Sequence, residues 1–181
     1  MSYTQIMTEL IHGATTILNG LKYHADNYLT LQNEVDSMEF MNPEQDADLR
    51  ATVRKMNHET IAYFNRIGQF YYFARSRNVA EILDDFENHI PHIMRLKIFR
   101  MKQSAHRATD VPKGENPNNM AQLDRFFTYQ FVMVNNKLMY QILLDEEDPV
   151  TGRRSVNFFL HEDHPNVVAE IENFIELINN E

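Results

Sequence analysis

The most distinctive residues that could do chemistry lie between Arg100 and Asp110. Arg100 and His106 are six positions apart, where a helical pattern runs into a loop that contains Pro112. In an ideal helix this spacing separates the two side chains by about 120° in projection, so they converge only if the helix unwinds near Ser104. Because the chain has no cysteine, any chemistry must rest on histidine, arginine and carboxylates.

The pair of Arg100 and His106 resembles the motif of the HEPN superfamily, all-helical domains whose ribonuclease members carry an Arg and a His near a helix end. The resemblance is carried by the residues from Arg100 to Asp110 and by the general helical architecture. It implies a metal-independent endoribonuclease in which His106 handles the ribose 2′-hydroxyl or the leaving oxygen. It implies that Arg100 stabilises the charge of the phosphorane, and that the active site forms across a dimer interface.

The same segment also has a structural interpretation. Asp110 can accept hydrogen bonds from Arg107 or His106 and so anchor the start of the loop. A third interpretation is ligand binding without chemistry. The sequence alone leaves these three interpretations open.

The formal net charge of −9 is unevenly distributed along the chain. Between Arg50 and Lys113 there are twelve Lys and Arg against six Asp and Glu, and the remainder carries five against twenty. The densest basic stretch is the third predicted helix, and the residues expected to bind an anion there are Arg95, Lys102 and Arg107. These three side chains, which we call the basic flank, either pair with acidic residues elsewhere in the chain or bind an anionic ligand such as the phosphate backbone of RNA.

A weaker candidate for metal binding consists of His161, Asp163 and His164. Imidazole and carboxylate groups this close in sequence bind a divalent metal only if a distant residue completes the set of ligands. The simpler interpretation is that Asp163 or His164 caps a helix with Pro165 in its first turn. We therefore expect neither a metal nor a cofactor.

Several common catalytic motifs are absent from the sequence. The chain contains no phosphate-binding P-loop, no Gly-x-Gly-x-x-Gly turn and no Gly-x-Ser-x-Gly elbow. Nucleotide-driven motors, Rossmann oxidoreductases and α/β hydrolases are therefore poor interpretations.

Apolar residues at steps of three and four predict the helices that position these side chains. Helices are expected over residues 3–33, 46–75, 79–106 and 166–179. Pro91 should bend or split the third helix near His89. Four consecutive aromatic residues, Phe70 to Phe73, surround the end of the second helix. At least one of them must therefore face another subunit, a groove or a neighbouring helix.

The pattern changes between the third and the last helix. Residues 128–160 are rich in β-branched and aromatic side chains, which predicts a three-stranded antiparallel meander with Asn135-Asn136 as its tight turn. The alternative for residues 120–135 is a further helix, because apolar side chains there also fit a helical period. Both interpretations place the segment before the C-terminal helix.

Together these patterns predict a mainly α protein, an antiparallel helical bundle with a small antiparallel β meander inserted before its C-terminal helix. A chain of 181 residues suits a single domain over residues 1–181 that needs no disulfide or metal. The sequence shows no secretory signal and no apolar stretch of membrane-spanning length. We therefore expect a soluble, cytoplasmic protein that does not bind membranes.

For function, we expect association without catalysis, in the form of a homodimer. The reasons are the aromatic surplus at Phe70 to Phe73 and the lack of a complete catalytic set. The alternative is a HEPN-type endoribonuclease that uses Arg100 and His106. A third hypothesis is a receptor for a small molecule or an anion that uses the basic flank and the sheet.

Overall fold

The computed structural model describes residues 3–38, 43–76, 79, 82–83, 85–104, 129–134, 137–143 and 155–180. Within these ranges the α-helices are α1 (Tyr3–Asp36), α2 (Pro43–Ala74), α3 (Pro91–Ser104) and α4 (Leu160–Asn179). The strands β1 (Tyr129–Val134), β2 (Lys137–Leu143) and β3 (Ser155–Phe158) form one antiparallel sheet in that order. The predicted fold, mainly α with a small meander before the C-terminal helix, is confirmed. No helix in these ranges is long and apolar enough to cross a membrane.

The chain divides into two compact units. The first comprises Met1–Arg100 and Asn166–Glu181, and the second comprises Met101–Pro165. The first unit holds α1, α2 and most of α3 and α4, and the second holds the sheet. The side chains of the candidate site belong to the first unit.

Helices α1 and α2 pack antiparallel and approach closely at two glycines. A Cβ atom on Gly13 would lie 3.0 Å from the ring of Phe73, and one on Gly20 would lie 2.7 Å from Nε of Arg66. The partner position on α2 falls as the position on α1 rises, which makes the pair antiparallel. The buried stripe of α1 recurs at helical spacing: Leu10, Ala14, Leu18, Leu21, Ala25 and Tyr28.

The aromatic end of α2 packs mainly inside the first unit. The ring of Phe70 is fully buried and meets Phe174 of α4 edge-on at 5.1 Å between centroids. Phe73 lies 6.5 Å from the same ring, and Tyr71 is also buried. Only Tyr72 of the four faces outward, with 62% of its surface exposed. Most of the aromatic side chains that were predicted to favour a dimer thus pack inside the chain itself.

Pro91 begins a helix instead of bending one. A short 3-10 helix, Phe86–His89, precedes α3, so the predicted split near His89 is confirmed. Of the helix predicted over residues 79–106, Val79 is helical and α3 spans Pro91–Ser104. Proline lacks an N–H and has a φ that suits the first helical turn, which explains this boundary. Asp85, with φ 49°, marks the turn before the 3-10 helix.

Helix α4 begins at Leu160, earlier than the predicted start at residue 166. The carboxylate of Asp163 accepts a hydrogen bond from the N–H of Phe159 at 2.8 Å. The N–H of Asp163 in turn donates to the carbonyl of Phe159. This reciprocal capping starts the helix before Pro165, which consequently lies inside α4 and not in its first turn.

The strand interpretation of residues 129–134 is confirmed, and the helical alternative is wrong there. Val134 pairs with Lys137 in the antiparallel register, which leaves two residues to join the strands. The predicted turn residues, Asn135-Asn136, lie outside the described part of the chain, as do residues 120–128.

Candidate functional site

The helices of the first unit differ sharply in charge. Helix α4 carries five acidic residues and no Lys or Arg, and α1 carries four acidic residues and one Lys. Between Arg50 and Arg75, by contrast, there are five Lys or Arg and one acid, Glu59. Over the whole of α2 the charges balance, with four Lys or Arg and four Asp or Glu, so its cations are concentrated after the first two turns of the helix.

Three cations of α2 and one exposed ring make up what we call the basic face: Arg54, Lys55, Arg66 and Tyr72. Arg54 and Lys55 are exposed and Arg66 is half-buried. Within the described part of the chain no carboxylate lies within salt-bridge distance of any of the three cations. The guanidinium of Arg66 donates instead to the side-chain carbonyl of Gln69 at 2.9 Å. These cations are therefore not neutralised by this chain's described acids.

The basic face is continuous along α2. Arg54 and Tyr72 are eighteen residues apart, which is five helical turns, so both project from the same side at about 27 Å along the axis. His58 and Gln69 are also exposed between them. The result is a long surface with Arg54 and Lys55 near one end, Tyr72 at the other, and Arg66 six residues before Tyr72.

A second group of cations surrounds the ring of Tyr71, and we call Tyr71, Arg75 and Lys97 the Tyr71 cluster. Nζ of Lys97 lies 4.2 Å from the ring centroid, and Cζ of Arg75 lies 5.4 Å from it. Nη1 of Arg75 donates to the Tyr71 hydroxyl at 2.9 Å. Phe86 approaches the same ring with 6.5 Å between centroids. The end of α2 and the first turns of α3 together position this cluster.

The Tyr71 cluster joins two like charges to one buried ring. Each cation is attracted by the ring quadrupole, but the two cations repel one another in a site partly shielded from water. Among the residues that the structure describes, no carboxylate is within salt-bridge distance of Arg75 or Lys97. The arrangement therefore favours the approach of an anion.

A buried carboxylate fixes the start of α3. Glu170 of α4 is 7% exposed, and its two oxygens accept hydrogen bonds from the backbone N–H groups of His92 at 2.6 Å and Ile93 at 3.0 Å. Nδ1 of His92 lies 2.7 Å from the same carboxylate. A negative charge at a helix N-terminus satisfies free N–H groups and is stabilised by the helix dipole. Glu170 thus ties α3 to α4 and occupies the position that an external anion would take.

Two further ion pairs connect α1 to its neighbours. His24 lies 2.8 Å from the carboxylate of Glu59 on α2, with both side chains largely buried. Lys22 pairs with Glu172 of α4 at 2.9 Å, with both side chains about half exposed. Both contacts bridge helices of the bundle, which is a structural role.

The residues predicted from the HEPN resemblance are only partly described. Arg100 lies on α3, but its side chain is outside the described part, and His106, Arg107 and Asp110 are outside it altogether. The convergence of Arg100 with His106 and the loop anchor at Asp110 therefore remain predictions.

The predicted anion flank is also partly described. Arg95 is half-buried on α3 and has an interaction of its own. Lys102 lies on the same helix, with its side chain outside the described part. The flank that Arg95, Lys102 and Arg107 were expected to form remains a prediction.

The histidines near the start of α4 do not gather around a common point with Asp163. His161 is exposed, whereas Asp163 is buried and bonded to the backbone of Phe159. The described residues contain no group of three or more His, Cys, Asp or Glu that could hold a metal ion. Asp163 caps the start of α4 from within its first turn, by accepting from the N–H of Phe159, and not as a cap directly ahead of Pro165.

Sequence reasoning missed both Glu170 and the Tyr71 cluster. The spacing of Tyr71 and Arg75 by four positions puts them on one helical face, and this was a usable signal. Lys97 and Glu170 come from other helices, and no local pattern indicates their contacts.

A scan against protein-family models and searches of curated proteins and solved structures find no match to this chain. The similarity to the HEPN superfamily therefore stays a prediction carried by the residues around Arg100.

Proposed function

We propose that the protein acts by association, without catalysis of its own, and that the basic face of α2 contacts an acidic surface of its partner. The observation that carries this proposal is that Arg54, Lys55 and Arg66 have no carboxylate partner among the described residues. Tyr72, 62% exposed on the same face, supplies an aromatic anchor. Tyrosine and arginine are the residue types that protein interfaces favour.

The two kinds of side chain have different tasks in this interface. Exposed ion pairs contribute only about 0.2–1 kcal/mol each, so Arg54 and Lys55 mainly raise the rate of encounter and select an acidic partner. Burial of the ring of Tyr72 contributes about 1.5–3 kcal/mol. Affinity should therefore depend on Tyr72, and salt sensitivity should depend on the cations.

The expected homodimer is one form of this association. Two basic faces placed against each other would bring cations opposite cations, which is unfavourable. A second copy offers an acidic surface on α1 or α4, where Glu172 and Glu176 are exposed. Self-association would then join unlike surfaces of the two copies. A separate acidic protein would use the same basic face.

Sedimentation velocity tests the proposal directly. The wild type is compared with Tyr72→Ala and with the double variant Arg54→Glu/Lys55→Glu, at low and at high salt, alone and with poly-glutamate as the acidic probe. We expect association that high salt weakens and that both variants lose. A Thr30→Ala variant, altered on the exposed side of α1, is the control. A wild type that neither self-associates nor binds poly-glutamate at low salt overturns the proposal.

The second candidate function is a metal-independent endoribonuclease of HEPN type, in a soluble, cytoplasmic setting. Its support is the mainly helical architecture and the position of Arg100 on a helix of the bundle. Cleavage of RNA by the wild type and by His106→Ala is measured in the presence of a chelator, with His161→Ala as the matched control. Loss of cleavage in His106→Ala alone supports the nuclease, and no cleavage by the wild type rules it out.

A further inference from the structure

We propose that Arg75 and Lys97 form a binding site for a divalent tetrahedral oxyanion, either free phosphate or the phosphate group of a small phosphomonoester, held by the two cations beside Tyr71. This site differs from the basic face, since it uses neither Arg54 nor Lys55. It also differs from the flank predicted from the sequence, because Arg75 and Lys97 come from different helices.

The two centroid distances limit the separation of the two cations. Nζ of Lys97 at 4.2 Å and Cζ of Arg75 at 5.4 Å from one centroid can be at most about 10 Å apart. A phosphate that accepts a charge-assisted hydrogen bond on each side spans about 8 Å between its two donors. Rotation of either flexible side chain is enough to shorten the separation of the two cations from about 10 Å to about 8 Å.

Both cations keep donors for a ligand. Arg75 donates one hydrogen bond to the hydroxyl of Tyr71, and a guanidinium has five N–H donors. The ammonium of Lys97 makes a contact of 3.6 Å with the sulfur of Met94, and sulfur is a weak acceptor. The remaining N–H groups of Arg75 and Lys97 are therefore available to phosphate oxygens.

The charge of the site selects the class of ligand. Two positive groups meet at a buried ring, and across the described ranges no carboxylate is within salt-bridge distance of either. A dianion neutralises both cations and removes their mutual repulsion, whereas a monoanion such as acetate leaves one positive charge in excess. Phosphate and sulfate should therefore bind, and acetate should bind far more weakly.

Isothermal titration calorimetry with inorganic phosphate and sulfate, and with acetate as the monovalent comparison, tests the site. Lys97→Met keeps the apolar stem on Tyr71 and removes the charge, and Arg75→Gln removes the second cation. We expect each to weaken phosphate binding about tenfold or more. Lys97→Arg should restore most of it. Lys22→Met and Arg54→Gln remove one positive charge elsewhere and should leave binding unchanged.

Two further measurements complete the test. The first identifies the ligand, and the second distinguishes this site from the proposed association. The affinities of a nucleoside monophosphate, its nucleoside and inorganic phosphate are compared. If the nucleoside monophosphate binds more tightly than inorganic phosphate and the nucleoside does not bind, the ligand is an ester with a planar ring. If the nucleoside monophosphate and inorganic phosphate bind equally tightly, the ligand is free phosphate. Arg54→Glu/Lys55→Glu should lose association and keep phosphate binding. The proposal is wrong if the wild type shows no saturable binding of phosphate or sulfate, or if Lys22→Met weakens binding as much as Lys97→Met does.

Discussion

The carboxylate of Glu170 provides the most quantitative prediction for this fold. In a Glu170→Gln variant the side chain keeps its size but loses its charge and one of its two acceptor oxygens. One of the N–H groups of His92 and Ile93 then faces an amide NH2, in a site that is 7% exposed in the wild type. The variant therefore leaves a buried donor without an acceptor.

The magnitude follows from these contacts. A hydrogen bond to a charged group contributes about 1.5–3 kcal/mol, and a charge at a partly buried helix terminus contributes up to about 2 kcal/mol. These contributions overlap, because they describe the same carboxylate, so we expect Glu170→Gln to lower the free energy of unfolding by about 2–4 kcal/mol.

Urea unfolding at neutral pH, followed by circular dichroism, measures this loss. The urea concentration at the midpoint of unfolding should fall, while the slope of the free energy of unfolding against urea concentration stays constant. Glu172→Gln is the matched control, since it makes the same chemical change two positions away in the exposed pair with Lys22 and should cost less than about 1 kcal/mol. If Glu170→Gln costs no more than Glu172→Gln, the carboxylate does not hold α3 as described.

Two other predictions concern the core. Phe174→Ala removes the fully buried ring that Phe70 and Phe73 contact, and it should lower the free energy of unfolding by about 3–5 kcal/mol; an exposed aromatic such as Tyr23 changed to Ala should cost far less in the same urea titration. Burial, together with the nearby carboxylate of Asp36, raises the pKa of Tyr28 above its usual value of 10.0. The folded state therefore holds this proton more tightly than the unfolded state, so the contribution to stability is fully present below pH 10 and is lost as the pH rises above it. The free energy of unfolding, measured at a series of pH values above 10, should fall in the wild type and fall less steeply in Tyr28→Phe. Identical slopes against pH in the two proteins would contradict the assignment to Tyr28.

Local patterns were sufficient for much of the architecture. Periodic apolar residues located α1 and α2 within a few positions, and Pro91 predicted the break near His89 that precedes α3, because proline cannot donate the hydrogen bond that continues a helix. The start of α4 was missed because the carboxylate of Asp163 caps the chain at Phe159, and this contact outweighs the preference of Pro165 for a first turn.

The candidate sites depended on contacts between helices and were harder to predict. Glu170 reaches an N-terminus 78 positions away in sequence, and no pattern in α4 distinguishes it from its exposed acidic neighbours. The bundle likewise brings Lys97 to Tyr71. The charge pattern did locate the basic stretch, but only the structure shows that Arg54 and Lys55 lie outside every described ion pair.

Association through the basic face of α2 is tested most directly by a single spin label. Because the chain has no cysteine, Gln69→Cys gives one label beside Tyr72, and Asn173→Cys gives a matched label on acidic α4, both at exposed positions. With poly-glutamate at low salt, we predict that the label at position 69 loses mobility and that the label at position 173 does not. Unchanged mobility at position 69, or equal loss at both positions, would contradict association through this face.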